Sequence, residues 1–323
     1  MESIETRLFA GKFGNPGMIL KRGGENFIFD CGDGLLSKSD FNKLKAVFIS
    51  HHHYDHFSGF DPLIPLSLYH ENPIKVIGPE GNIQRVIAKV MAYNWNLIKE
   101  DDIKLDVYEI IEDKLLFASL RFPFNLDQKY EIKKVDQKEV LNFGDYKIRF
   151  TSLDHSIPSI AYAFSEKDYV NIDKQKLLES GLNPGAWLEE LKVKFNQPRS
   201  VIDYFGEYIE THKLIDMVVL NQGRKIVYAT DFIYSVDNIG KLLNIAKGAD
   251  EFYCEANFLS SEHINAKENY HLTAGQAGML ASELGVKKLV LFHHSRRYND
   301  GSESVISKSF ISEASRYFKG EIC

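Results

Sequence analysis

The stretch FISHHHYDHFSGF, residues 48–60, sets four histidines and one aspartate into the six positions 51–56, directly after the apolar run KAVFIS. A loop leaving a strand end can turn alternate side chains toward one point. His51, His53, Asp55 and His56, spaced H-x-H-x-D-H, therefore read either as a solvated His-rich turn or as a metal-binding loop. Imidazole and carboxylate are suitable zinc ligands. A catalytic zinc usually takes three protein ligands and keeps one position open. Four ligands on one loop thus suit two metals better than one, and two metals need further ligands from distant parts of the chain. The fold must then bring several strand ends to a common rim.

Candidates for that rim stand elsewhere in the sequence. His155 ends FTSLDH, Asp231 ends VYATD and His293 ends LVLFH, each just past a short apolar run. Together with the loop they make five histidines and two aspartates. That is enough for two metals sharing a bridging carboxylate and a bridging water. His70, His212 and His263 have no such surroundings.

The rest of the chain agrees with a layered protein. GMILKRGGENFIFDCG reads as a hairpin around Gly23-Gly24, a pair that permits positive φ. GNIQRVIAKVMAYNW places Ile83, Val86, Ile87, Val90 and Met91 at helical spacing. In the second half RKIVYATD, EFYCEANF and KKLVLFHHS read as strands. NIGKLLNIAKGAD, HLTAGQAGMLASELG and SKSFISEASRYFKG read as helices, with Gly285 as a C-cap. Strands followed by helices, with hairpins at the start, predict an α/β (α+β) protein with sheets at the centre and helices outside. The 323 residues, 44% hydrophobic, can bury a large core as a single domain, 1–323. The region 165–222 differs in character and reads as an insertion.

Charge and cysteine usage narrow the function classes. A net charge of −6 counts against a nonspecific nucleic-acid binder. Three cysteines without CxxC spacing argue against a disulfide framework and fit a reducing cytosol. MESIETRLFAG shows no export leader, and no apolar run approaches the length of a bilayer span. A cytoplasmic protein without membrane contact is expected.

SHHHYDH is the signature of the metallo-β-lactamase fold. FDCGDG, LDHSIPSIAYAF, IVYATDF, YCEANF and YHLTAGQAGMLASELGVKKLVLFHHSRRY resemble, in order and spacing, the motifs of ribonuclease Z, the endonuclease that trims tRNA precursors at their 3′ end. The resemblance covers nearly the whole chain. It implies a four-layer αββα metallo-β-lactamase sandwich. It implies that His51, His53 and His155 hold one zinc, that Asp55, His56 and His293 hold a second, and that Asp231 bridges them. Two zinc ions per chain are expected, with manganese or iron as alternatives. It further implies a proton-donating pair, His271 backed by Glu255, and a homodimer. His53 stands where di-iron flavoprotein relatives usually carry Glu, which favours hydrolysis over redox chemistry. His293, not His294, occupies the family's ligand position.

Within 165–222, VNIDKQKLLESGLNPGAWLEELK resembles the arm with which the family grips tRNA. Lys174, Lys176, Lys192, Lys194 and Arg199 are its candidate phosphate contacts, interleaved with Asp173, Glu179, Glu189 and Glu190. The alternative is an amphipathic α-hairpin that packs on the domain or on a second subunit. The chain departs from the family at Cys254, Asn257, Arg296 and Ala186. No departure removes a proposed ligand.

The expected chemistry is phosphodiester hydrolysis by direct water attack. Asp55 would accept the water's proton, and His271 would protonate the leaving 3′ oxygen. The expected partner is a tRNA precursor. The competing expectation is a hydrolase of the same fold acting on a small phosphodiester, a lactone or a sulfate ester. A non-enzymatic scaffold is disfavoured by the complete ligand set. A β-lactamase is disfavoured by the later motifs and the missing leader.

Overall fold

The computed structural model describes residues 3–9, 11–32, 36–99, 102–112, 114–122, 133–135, 141–197, 199–298 and 303–323. Asp33 and Gly34 of the FDCGDG motif lie outside the described residues. The chain divides into two compact units, Met1–Phe164 with Lys225–Cys323, and Ser165–Arg224.

The larger unit is organised by two sheets. The first runs in sequence order through β1 (Ile4–Leu8), β2 (Met18–Arg22), β3 (Glu25–Phe29), β4 (Leu44–Phe48), β5 (Ile74–Pro79), β6 (Lys104–Ile111), β7 (Lys114–Arg121) and β8 (Lys133–Val135). Its centre, β3 to β6, is parallel, and its two flanks are antiparallel. The β2–β3 hairpin turns at Gly23 and Gly24, both at positive φ, as their lack of a Cβ permits. The second sheet has the order β18-β17-β16-β15-β10-β9. Its strands are β9 (Tyr146–Asp154), β10 (Pro158–Glu166), β15 (Lys225–Ala229), β16 (Glu251–Glu255), β17 (Lys288–Phe292) and β18 (Glu321–Ile322). The run from β15 to β18 is parallel.

Side chains alternate across a strand, so each sheet feeds two cores. Phe27 and Phe29 join Phe48, Tyr162, Tyr228, Tyr253 and Phe292 in one buried cluster that draws on both sheets. Ile28, between them, faces the other way. It joins Val47, Val76 and the helix residues Ile83, Val86 and Val90. On the second sheet Phe252 and Cys254 pack with Leu280, Ala281 and Phe310, while Tyr253 faces the shared core. The layers are therefore helix, sheet, sheet, helix, as the sequence predicts.

The outer helices connect parallel strands. On the first sheet they are α1 (Lys38–Asn42), α2 (Tyr54–Phe57), α3 (Leu63–Leu66) and α4 (Asn82–Met91). The smaller unit contributes α5 (Lys174–Glu179) and α6 (Trp187–Lys194). The second sheet is covered by α7 (Val236–Ala246), α8 (His263–Glu268), α9 (Ala274–Leu284) and α10 (Glu303–Ala314). Thr273 and Gln276 form a reciprocal capping box at the start of α9, and Gly285 ends it in the left-handed conformation. His271 precedes this cap, so it is a loop residue and not the first-turn helix residue that its sequence context also allows.

The smaller unit packs Leu177, Trp187, Leu191, Ile202, Leu214 and Met217 into its own core. Besides the two helices it holds two strand pairs, β11 (Tyr169–Ile172) with β14 (Val218–Asn221) and the hairpin β12 (Val201–Tyr204) with β13 (Glu207–Glu210). The two helices match the amphipathic α-hairpin considered as the alternative for this region, whereas NQPRSVIDYFGEYIETHK conceals the hairpin. Lys192 and Lys194 pair with Glu189 and Glu190 on their own helix. The basic residues here form no unopposed stripe.

Two glycines should respond oppositely to alanine. A Cβ on Gly59 would fall 2.1 Å from the Gly32 carbonyl oxygen, whereas one on Gly240 meets nothing within 4 Å. Gly59→Ala should destabilise the fold by about 1–3 kcal/mol through overpacking. Gly240→Ala, in an exposed stretch of α7, should stabilise it by about 0.5–1 kcal/mol. Denaturant titration of both variants checks the two signs.

Candidate metal centre

Four strand ends deliver the cluster. The loop after β4 carries His51, His53, Asp55 and His56. His155 follows β9, Asp231 follows β15, and His293 follows β17 directly. Asp231 (φ 51°) and His293 (φ 57°) both adopt the left-handed backbone. For residues with a Cβ this conformation is uncommon and costs on the order of 1–3 kcal/mol. It turns the chain sharply at the two points where a side chain must point along the rim.

Asp231 is the hub. Its Oδ2 lies 3.5 Å from His51 Nε2, 3.3 Å from His56 Nε2 and 3.5 Å from His155 Nε2. Its Oδ1 lies 3.0 Å from His293 Nε2 and accepts a hydrogen bond from the Thr230 hydroxyl at 2.6 Å. Asp55 Oδ2 stands 3.7 Å from His56 Nε2 and 3.8 Å from His293 Nε2. Three sets of donor atoms fall within 4.8 Å of one another: His51, His53, His155 with Asp231; Asp55, His56, His293; and Asp231, His271, His293. The structure thus brings together all seven residues singled out from the sequence.

The outer nitrogens are anchored, which fixes the inner ones. His155 Nδ1 donates to the Tyr270 carbonyl at 2.8 Å, and His293 Nδ1 donates to the Gly14 carbonyl at 2.7 Å. His56 Nδ1 donates to Asp30 at 2.8 Å, and His51 Nδ1 meets the Ser50 hydroxyl at 3.0 Å. Such outward bonds set the tautomer, leaving each Nε2 with a lone pair toward the centre. Asp30 is fully buried and also accepts from Ser50 N at 2.6 Å, Ser50 Oγ at 2.7 Å and Tyr228 OH at 2.9 Å. The sequence reading gave Asp30, Ser50 and Tyr228 no role. The FDCGDG motif was the signal that could have found Asp30, but nothing local tied it to His56.

The residues fit a divalent cation. Among the described residues, His51 Nε2 and His56 Nε2 are buried and find no hydrogen-bond partner. Buried polar atoms without partners are costly, and lone pairs converging on a carboxylate repel. A positive charge between them removes both penalties. Protein charges alone respond in the same sense. Burial and the neighbouring His56 hold the His51 imidazole well below its ordinary range. Burial works against the charged form of His56, but Asp231 and Asp30 outweigh it and push its pKa well up. Burial likewise opposes ionisation of Asp231, yet His293 and His56 hold its carboxyl well below the usual range. Thiolate, the other common zinc ligand, is missing from the cluster, so the donor set is entirely imidazole and carboxylate.

His271 faces the cluster, its ring centroid 5.1 Å from that of His155 and 5.8 Å from that of His293. Its Nδ1 lies 2.7 Å from Glu255 Oε2. Glu255 is fully buried, and its Oε1 accepts from Phe232 N at 2.8 Å. Burial would lower the His271 pKa, but the Glu255 and Asp231 carboxylates prevail and push it up to about 9. His294 is excluded from the site. Its Nδ1 donates to the Ala256 carbonyl at 2.7 Å, and its ring stacks on Phe310. Asn257, one of the departures from the family pattern, donates to the His293 carbonyl at 2.8 Å and so steadies that ligand's strained backbone.

Comparison with known proteins agrees with this geometry. Residues 11–71 match the model of the metallo-beta-lactamase superfamily. A ribonuclease Z of Methanosarcina acetivorans is 29% identical over 306 residues, covering 91% of this chain and 87% of the relative. One of Pyrococcus horikoshii is 27% identical over 293 residues, covering 88% and 81%. The crystal structure of the short form of human tRNase Z superposes with a TM-score of 0.53 at 19% identity, covering 91% of this chain and 94% of that one. The metallo-β-lactamase fold, the likeness to ribonuclease Z and a metal-dependent hydrolase, all expected from the sequence, are borne out. No helix among the described residues is long and apolar enough to cross a membrane.

A ligand that binds only the folded state stabilises it by about 4 kcal/mol at a thousandfold excess over its Kd. Zinc added to chelator-stripped protein should therefore raise the thermal unfolding midpoint by several degrees. Asp231→Ala, which removes the hub carboxylate, should abolish most of that rise in the same calorimetric scan.

Proposed function

We propose that this metal-dependent hydrolase cleaves phosphodiester bonds in RNA, with tRNA precursors as its substrate and two zinc ions per chain as its cofactor. The observation that carries the reading is the His271–Glu255 pair beside the seven-residue cluster. A metal site alone fits many hydrolases. A buried carboxylate holding a protonated imidazole against that site is suited to an oxygen leaving group with a high pKa. The likeness to ribonuclease Z relatives, 81–87% of whose length is covered, supports the same substrate.

In this reading His51, His53 and His155 would hold one ion, Asp55, His56 and His293 would hold the other, and Asp231 would serve both. When bound, the ions would lower the pKa of a shared water and offset the charge on the phosphodiester's non-bridging oxygens. Asp55 is the most exposed carboxylate of the set, at 35%, and takes the proton of the attacking water. Glu255 fixes the His271 ring through Nδ1, so Nε2 carries the proton that passes to the leaving 3′ oxygen. Water attacks directly, without a covalent enzyme intermediate. The region 165–222 would act as an arm toward the tRNA body and the protein as a cytoplasmic homodimer; these parts rest on the resemblance to ribonuclease Z.

The rival substrate is a small phosphodiester, favoured by the net charge of −6 and by the paired lysines of α6. Cleavage of a 3′-extended tRNA precursor, assayed beside an aryl phosphodiester, separates the two. Turnover of the aryl ester alone would sink the RNA reading. His271→Ala should lower kcat on the precursor by roughly 10²–10⁴-fold with metal content unchanged. Glu255→Gln should lower kcat less, because the ring stays hydrogen-bonded but loses the adjacent charge. Metal analysis alongside single-turnover kinetics reads both effects.

A further inference from the structure

The rim around the cluster opens into two clefts that share His53. One, of about 450 Å³, contains His271 together with Asp55 and Asp231. The other, of about 430 Å³, lies on the far side of the loop, against His51, and contains Arg85 but not His271. This asymmetry assigns a direction to the substrate. The proton donor stands in the first cleft, so the nucleotide bearing the leaving 3′ oxygen lies there. The strand that retains the 5′-phosphate must then leave by the second.

We infer that Arg85 in this second cleft is a specificity-determining residue that binds the phosphate one nucleotide 3′ of the scissile bond. The inference rests on the ribonuclease reading and deepens it. Arg85 is exposed on the first turn of α4, and among the described residues no carboxylate lies within ion-pair distance of it. Its guanidinium carries five donors, yet among the described residues its hydrogen bonding is a single long contact, from Nη1 to the Glu80 carbonyl at 3.4 Å. The side chain folds back on the preceding turn. It lies over Gly81, where φ is +81° and a Cβ would fall 1.9 Å from Nη1. The bare glycine lets the guanidinium fold back over the cleft. A planar cation with unspent donors, seated against bare backbone beside a phosphodiester-cleaving centre, matches the bidentate geometry of a phosphate. Glu80 is the acidic side chain of the same cleft; it is exposed and forms no ion pair with Arg85.

Two short RNAs of one sequence test this. In the first a single nucleoside follows the cleavable bond. In the second one more nucleotide is added, and with it one more phosphate. For the wild type kcat/KM should rise roughly 10- to 100-fold from the first to the second, the range of a hydrogen bond to a charged group. Arg85→Ala should bring that gain close to unity, Arg85→Lys should keep part of it, and Glu80→Gln should keep all of it. A binding measurement gives an independent readout. By calorimetry, the product dinucleotide pNpN should bind the wild type more tightly than the mononucleotide pN by a similar factor, and the Arg85→Ala variant should lose that preference. An equal response of wild type and Arg85→Ala to the added phosphate would overturn the assignment and leave the ribonuclease reading standing. A wild type that cleaves neither RNA, while turning over an aryl phosphodiester, would overturn both.

Discussion

A carboxylate ringed by imidazoles inside a protein is unstable as a bare arrangement. Asp231 is almost entirely buried, and four histidine nitrogens from three separate segments approach it within 3.0–3.5 Å. Withdrawing such a charge from water costs several kcal/mol. The Coulomb attraction of positive charge must offset that loss, either as protons on His56 and His293 or as a cation between the rings. Most of the rim's architecture exists to hold these mutually repelling groups at one point.

The means are spread over the whole larger unit. Two parallel-centred sheets face each other across an aromatic core of Phe27, Phe29, Phe48, Tyr162, Tyr228 and Phe292. Because that core fixes the sheets, the strand ends at its edge have fixed positions too. Asp30 converts this rigidity into chemistry. It receives Tyr228 from below, Ser50 from the loop and His56 from the site. One buried carboxylate thus ties the second sheet to the ligand loop on the first.

Much of this was legible in the sequence, for identifiable reasons. H-x-H-x-D-H is a local pattern, and each remote ligand sits just past a short apolar run, so residue type and strand end together marked the rim. The β2–β3 hairpin was legible from Gly23-Gly24, and the end of α9 from Gly285, whereas its start at Thr273, past His271, was not. What escaped depended on contacts with no local trace. Tyr228 meets Asp30 across 198 positions, and no spacing rule connects them. The β12–β13 hairpin was hidden because its burial pattern is weak and its turn at Phe205-Gly206 lies in a polar stretch. His293 and His294 were adjacent candidates for one role. Only the left-handed turn at His293, and the stacking of His294 on Phe310, separate them in space.

The hydrogen bond from His293 to the Gly14 carbonyl joins residues 279 positions apart. It ties the metal cluster to long-range folding. A chain that has formed the histidine loop but has not yet added β17 to the second sheet lacks the residue that closes the ring around Asp231. Local order at the histidine loop is therefore not enough: the ring around Asp231 closes only once segments far apart in the chain have docked.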